Sequence, residues 1–220
     1  MADGTVLLAT LDGLTLEGDI DLVPGARAAA VLIHPHPRFG GDRHNEIVDR
    51  LFRVLPGAGV ATLRFDFRGV GRSEGTHGDG IDERLDIVAA IDVMAQLLPD
   101  LPLVLVGCSF GSLVALDVTD ARIGAWLAIA PPLGAPPLGA PPPGVAPTVR
   151  LAAGDHRRKL VIGAMHDQFT TPEALRIATD AWVATRVEMI ATADHFFASS
   201  LGAIEDHARD FIDEVVLATR

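Results

Sequence analysis

The sequence predicts a single α/β domain, residues 1–220, built on a mostly parallel, twisted sheet with helices on both faces. Three observations carry that reading. Strand-length apolar runs alternate with helix-length amphipathic segments along most of the chain. Several of those runs are apolar throughout, as strands covered on both faces must be. Finally, 49% of the 220 residues are hydrophobic and the mean hydropathy is +0.31, enough apolar surface for a sizeable core and too much for a disordered chain.

The first element is read from "TVLLATLDGLTLEGDIDLV", where apolar and polar residues alternate on either side of Asp12-Gly13. That is a β-hairpin with Asp-Gly as its turn. "RAAAVLIH" (27–34) is a buried strand. Residues 43–55 place Ile47, Val48, Leu51, Phe52 and Leu55 on one face of a helix, and Gly57 and Gly59 separate it from the strand "VATLRFDF" (60–67). The polar, glycine-rich "RGVGRSEGTHGDG" follows as a loop. A helix over 82–98 repeats apolar residues at Leu85, Val88, Ile91 and Ala95. "LPLVLVGC" (101–108) is an apolar strand, and "SFGSLVALDV" is the helix after it. The remaining strands are 124–130, 159–165 and 186–191, with helices at 172–184 and 199–218.

One segment breaks the alternation. "PPLGAPPLGAPPPGVAP" (131–147) carries eight prolines and no charge, so it can be neither helix nor central strand. The expectation is a surface loop with polyproline II character, or a small lid over the site that the preceding strands build. The strands downstream are needed by the same sheet, which argues against an interdomain linker.

The chemistry starts at "GCSFGS" (107–112). Gly-x-Ser-x-Gly between a strand and a helix is the nucleophile-elbow pattern, with Ser109 at the apex of a sharp turn and glycines where side chains would collide with neighbours. A serine hydroxyl needs a base, and the base needs an orienting acid. In this layout they follow in the order Ser, Asp, His, each just past a strand end. Asp167 in "HDQF" follows the strand 159–165, and His195 in "DHFF" follows the strand 186–191. The backbone N–H of Phe110 is one oxyanion donor by geometry. The second is expected from "HPHPRFGG" (34–41), where Pro35 and Pro37 have no N–H and His36 is favoured, with Arg38 and Phe39 as fallbacks. Arg38, Phe39 and Phe196 are candidate substrate contacts at the mouth.

Other readings of the same residues are weaker. His34-x-His36 has metal-ligand spacing, but a third ligand is missing from the pattern, and neither a metal nor a cofactor is expected. Cys108, the only cysteine, precedes the nucleophile on a buried strand and reads as a small core residue; no intramolecular disulfide can form. Arg64, Asp66, Arg68 and Arg72 read as an ion-paired network shaping the loop, with a substrate-carboxylate contact from Arg68 or Arg72 as the alternative.

Bulk charge limits the partners. The net charge of −11, a pI near 5.0 and the scatter of 17 arginines argue against nucleic acid and anionic membranes. Residues 1–26 lack the pattern of a signal peptide and no run is long enough to span a bilayer, so a cytoplasmic protein is expected. A homodimer is compatible with all of this.

Taken together, "HPHPRFGG" (34–41), "LRFDFRGVGRSEG" (63–75), "GCSFGS", "HDQ" (166–168) and "DHFF" (194–197) resemble the α/β-hydrolase superfamily over nearly the whole chain. The closest likeness is to a small dienelactone-hydrolase-like group that carries an HPHP…GG turn. The resemblance implies an eight-stranded sheet, no large cap domain, and Ser109, Asp167 and His195 as a catalytic triad. Two departures concern the substrate entrance: the proline-rich insert, and arginine at 38 where the group has an aliphatic residue. Dienelactone hydrolases proper use cysteine as nucleophile, so lactone specificity does not transfer. The function expected is a serine hydrolase acting on small or medium acyl esters through an acyl-enzyme. A thioesterase or aminopeptidase on the same triad, or a non-catalytic small-molecule binder or signalling protein, stands as the alternative.

Overall fold

A computed structural model describes residues 2–133 and 150–219 of the chain. Most of the 131–147 segment, expected as a loop or lid, therefore lies outside the described residues. The described chain forms one eight-stranded sheet in the order β1-β2-β4-β3-β5-β6-β7-β8. Strands β1 (Ala2–Ala9) and β2 (Thr15–Leu22) are antiparallel to each other, and β2 is antiparallel to β4 (Val60–Phe65). Strands β3 (Ala28–Ile33), β5 (Leu103–Cys108), β6 (Ile123–Ile129), β7 (Arg158–Ala164) and β8 (Thr185–Ile190) run parallel to β4.

The connections follow from the residues. The hairpin turn is longer than Asp12-Gly13 alone. The Thr10 hydroxyl donates to Asp12 Oδ1 at 2.5 Å and accepts from the Leu14 N–H at 2.9 Å, with Gly13 at φ 88°. Helix α1 (Glu46–Val54) begins three residues later than its periodicity suggested. The reason is Asn45, whose side chain accepts from the Ile47 N–H and caps the first turn. Strands β3, β4 and β5 are buried at every position because helices cover both faces: α1 and α5 (Leu201–Ala218) on one, α2 (Glu83–Leu97) and α3 (Phe110–Leu116) on the other. The helix α4 (Pro172–Thr179) is shorter than the 172–184 expected, and β8, at the sheet edge, buries only Ile190.

Helix α2 corrects the apolar face read from its sequence. Leu85, Val88 and Ala95 are only half-buried, while Glu83, Asp86, Ile87, Ala90, Ile91 and Met94 are buried. Two carboxylates sit on the inward face because each has partners there. Asp86 accepts from the Arg68 backbone N–H and guanidinium at 2.9 Å, and Glu83 accepts from the Gly78 and Gly80 N–H groups at 2.6 and 2.9 Å. A periodicity of apolar residues cannot anticipate burial that is satisfied from other elements.

The parallel strands end together on one rim. The turns after β3, β5, β7 and β8 converge there, around the strand order reversal at β3 and β5, as open α/β sheets do where they bind ligands.

Candidate active site

Ser109 stands between the buried strand β5 and helix α3 at φ 50° and ψ −117°. A non-glycine residue held there stores roughly 1–3 kcal/mol of strain, which the surrounding packing must hold. The flanking glycines are obligatory. A Cβ at Gly107 would lie 2.5 Å from Ser112 Cα, and one at Gly111 would lie 2.4 Å from the His34 carbonyl oxygen. The Ser109 N–H donates to Ile129 O at 2.8 Å, and the Ser112 hydroxyl donates to Ser109 O at 2.5 Å. These bonds hold the backbone and leave the Ser109 hydroxyl facing outward.

His195 reaches that hydroxyl from the far edge of the sheet. Its Nε2 is 2.9 Å from Ser109 Oγ, and its Nδ1 is 2.8 Å from Asp167 Oδ2. Asp167 follows β7, and its other oxygen, Oδ1, accepts from the Phe169 and Thr170 N–H groups at 2.7 and 3.0 Å. An ionised carboxylate so placed takes the Nδ1–H and leaves Nε2 free to accept the serine proton. The loop carrying His195 is anchored by alternation. Ala193 and Phe197 are fully buried on either side of it, while Asp194 and Phe196 face solvent. Asp194 accepts from the Phe196 N–H and points away from the imidazole, as its adjacency suggested.

Ser109 and His195 open onto a cavity of about 460 Å³, lined also by His36, Phe39, Phe110, Phe169 and Phe196. The N–H groups of His36 and Phe110 make no hydrogen bond among the described residues. The turn that carries His36 is folded tightly: a Cβ at Gly41 would meet Pro35 O at 2.2 Å, and the Gly41 N–H donates to His36 O at 3.1 Å.

A family model described as the alpha/beta hydrolase family matches residues 22–219. The chain belongs to the alpha/beta hydrolase family. A putative alpha/beta hydrolase of unknown function from Agrobacterium tumefaciens is 26% identical, covering 98% of this chain and 97% of its own with a TM-score of 0.82. An α/β serine hydrolase without lid from Xanthomonas campestris is 26% identical over 98% and 94% of the two chains, TM-score 0.76. An uncharacterised protein of Rickettsia prowazekii is 37% identical over 107 residues, 47% of this chain and 45% of that protein, so the match spans less than half of the relative's length.

In this alpha/beta hydrolase no separate cap domain covers the rim among the described residues, and no described helix is long and apolar enough to cross a membrane. Of the residues singled out in the sequence, Ser109, His195, Phe110, His36, Phe39 and Phe196 all line the cavity. Arg38 does not. It is exposed, with its N–H donated to His36 Nδ1 at 3.2 Å. Arg68 is also removed from any substrate role, since Asp86 and Asp12 engage its guanidinium at 2.7 and 2.8 Å. Arg72 is 88% exposed and 3.9 Å from Glu17.

The His34-x-His36 pair does not converge. His34 Nδ1 faces Pro35 O at 2.6 Å and its Nε2 accepts from the Phe67 N–H at 3.0 Å, so both nitrogens are occupied. Burial pushes His34 and His36 down to about 4, which keeps both rings neutral. Cys108 is buried, and that burial pushes its thiol up to about 12. Sequence reasoning missed Phe169, Asn45, Ile47 and Pro132, all on the cavity wall. Phe169 lies two residues beyond Asp167, and its ring packs edge to face with the His195 imidazole, the ring centroids 4.5 Å apart. The "HDQF" spacing was the only signal for it.

Proposed function

We propose that this alpha/beta hydrolase cleaves carboxylic esters of small or medium acyl groups through an acyl-enzyme, within the dienelactone-hydrolase-like group that carries an HPHP…GG turn. The observation that carries the reading is the continuous chain Asp167–His195–Ser109, with links of 2.8 and 2.9 Å, ending at an apolar cavity. In this mechanism His195 Nε2 takes the Ser109 proton as Oγ attacks the ester carbonyl. Asp167 holds the imidazolium that forms. The Phe110 and His36 amides receive the oxyanion. The imidazolium then gives its proton to the departing alcohol, and a water deprotonated by the same Nε2 releases the acid.

The cavity suggests the kind of acyl group. Phe39, Phe169 and Phe196 make its mouth aromatic, and no lysine or arginine lines it among the described residues. Glu46 is the one acidic side chain on its wall. An uncharged acyl chain fits that lining better than one bearing a carboxylate.

Intact mass after incubation with a fluorophosphonate tests the reading. A single adduct is expected on the native protein and on neither Ser109→Ala nor His195→Ala. An unlabelled native protein would remove the hydrolase assignment and leave small-molecule binding as the role of the cavity.

A further inference from the structure

Behind the turn that carries His36, the loop 76–80 buries a second polar cluster. His36 Nε2 and both ring nitrogens of His77 are buried without a hydrogen-bond partner. The two rings lie 4.9 Å apart, edge to face, and both pack on the ring of Phe110, at 4.7 and 5.6 Å. On the far side, His77 Nδ1 is 2.9 Å from Glu83 Oε1, although not aligned for a hydrogen bond. Glu83 is fully buried and held by the Gly78 and Gly80 N–H groups. His36 Nδ1 accepts the Arg38 N–H, so a neutral His36 carries its proton on Nε2, the atom buried without a partner.

Three unsatisfied nitrogens and a carboxylate in one buried space are costly apart and complementary together. We propose that His77 and Glu83 are positioning residues for the oxyanion turn. A small rotation of the His77 ring completes a relay in which Glu83 Oε1 accepts the His77 Nδ1–H and His77 Nε2 accepts the His36 Nε2–H. The relay sets the tautomer of His36, keeps its Nδ1 an acceptor for the Arg38 N–H, and thereby holds the 36–40 turn with the His36 amide toward the cavity. Its Glu–His–His order uses the same logic by which Asp167 orients His195. The proposal rests on the serine-hydrolase reading of the site, because it concerns that site's oxyanion donor.

Two variants and one spectrum test it. His77→Phe keeps the ring contacts to His36 and Phe110 and removes the relay, while His77→Gln keeps hydrogen-bonding groups. With 4-nitrophenyl butyrate, His77→Phe is expected to lower kcat about tenfold with KM within about twofold, and His77→Gln to recover most of the loss. In 15N-labelled native protein, His36 is expected as the neutral Nε2–H tautomer with a downfield, slowly exchanging Nε2 proton, lost in His77→Phe. A native spectrum without that proton, or a His77→Phe enzyme with native kcat, would overturn the relay. The native spectrum needs no variant to fold. If the native protein is not labelled by the fluorophosphonate, the hydrolase reading fails, while the His36 resonance still decides the relay.

Discussion

Two polar regions lie on opposite sides of strand β4, and they are built on opposite terms. On the hairpin side, Arg43 bridges Glu17, Asp19 and Asp66, Arg64 bridges Asp19 and Asp49 at 2.9 and 2.8 Å, and Arg68 bridges Asp12 and Asp86. Each of these three guanidiniums has more than one carboxylate, and only Arg72, 88% exposed and 3.9 Å from Glu17, stands at their margin. On the rim, the residues of the candidate site combine satisfied groups with open ones. Asp167 is bonded at both oxygens and His195 at both nitrogens, yet Ser109 opens onto the cavity and the N–H groups of His36 and Phe110 make no hydrogen bond among the described residues. A network of mutually paired charges shapes the chain, whereas groups left open beside a cavity are what a candidate site offers.

The comparison is broken most severely at Ser109. Its replacement by alanine should abolish turnover of an activated ester, by about 10⁵-fold or more in kcat, while the urea midpoint stays near native because alanine keeps the Cβ and the same strained backbone. A variant with residual turnover near the native rate would move the reacting group elsewhere. On the hairpin side, Arg68→Met leaves Asp86 buried and unpaired, and should cost about 3–5 kcal/mol by urea unfolding. Burial already pushes Asp86 up to about 6 against the pull of Arg68, so the carboxylate has no reserve. The kcat per folded molecule should stay within about twofold, since Arg68 does not line the cavity. A large fall in kcat with full stability would turn the network into part of the site.

Between the two regions lies His34, at the end of β3 and wholly buried. Its folded value of about 4 is below the unfolded value of 6.5, so only the unfolded chain binds this proton between them. The stabilisation is therefore complete above about pH 6.5 and is lost as the pH falls towards 4, amounting to about 2–3 kcal/mol at pH 4.5. Urea midpoints at pH 7 and pH 4.5 should show that decline, and His34→Gln should flatten it. The smallest effect is expected at the mouth. Phe39 and Phe196 are 73% and 59% exposed, so alanine at either should raise KM for a butyrate ester by roughly three- to tenfold, about 1 kcal/mol, with kcat little changed. Arg38→Ala should leave both constants unchanged, and a lowered KM for an anionic ester in the native protein would restore Arg38 to the site.

The amino-acid sequence alone determined what depends on neighbours in the chain. An apolar run, two glycines and a serine specify a strand, an elbow and a helix within ten residues, although only the collision at 107 is with nearby backbone, that of Gly111 and Ser112, and the one at 111 is with Ile33 and His34 at the end of β3. The positions of Asp167 and His195 were legible for a related reason, since each directly follows a recognisable strand and the parallel order brings strand ends to one rim. Tertiary structure decided everything that depends on which surfaces meet. The inward face of α2 was misread because Asp86 is paired by Arg68 and Glu83 accepts backbone N–H groups of the loop before the helix, whereas hydropathy counts a carboxylate as exposed. Arg38 and Phe39 are neighbours in sequence, yet only the aromatic ring turns into the cavity. The clustering of His36, His77 and Glu83 had no local signal at all, because burial, unlike a turn or a period, is a property of the packed whole.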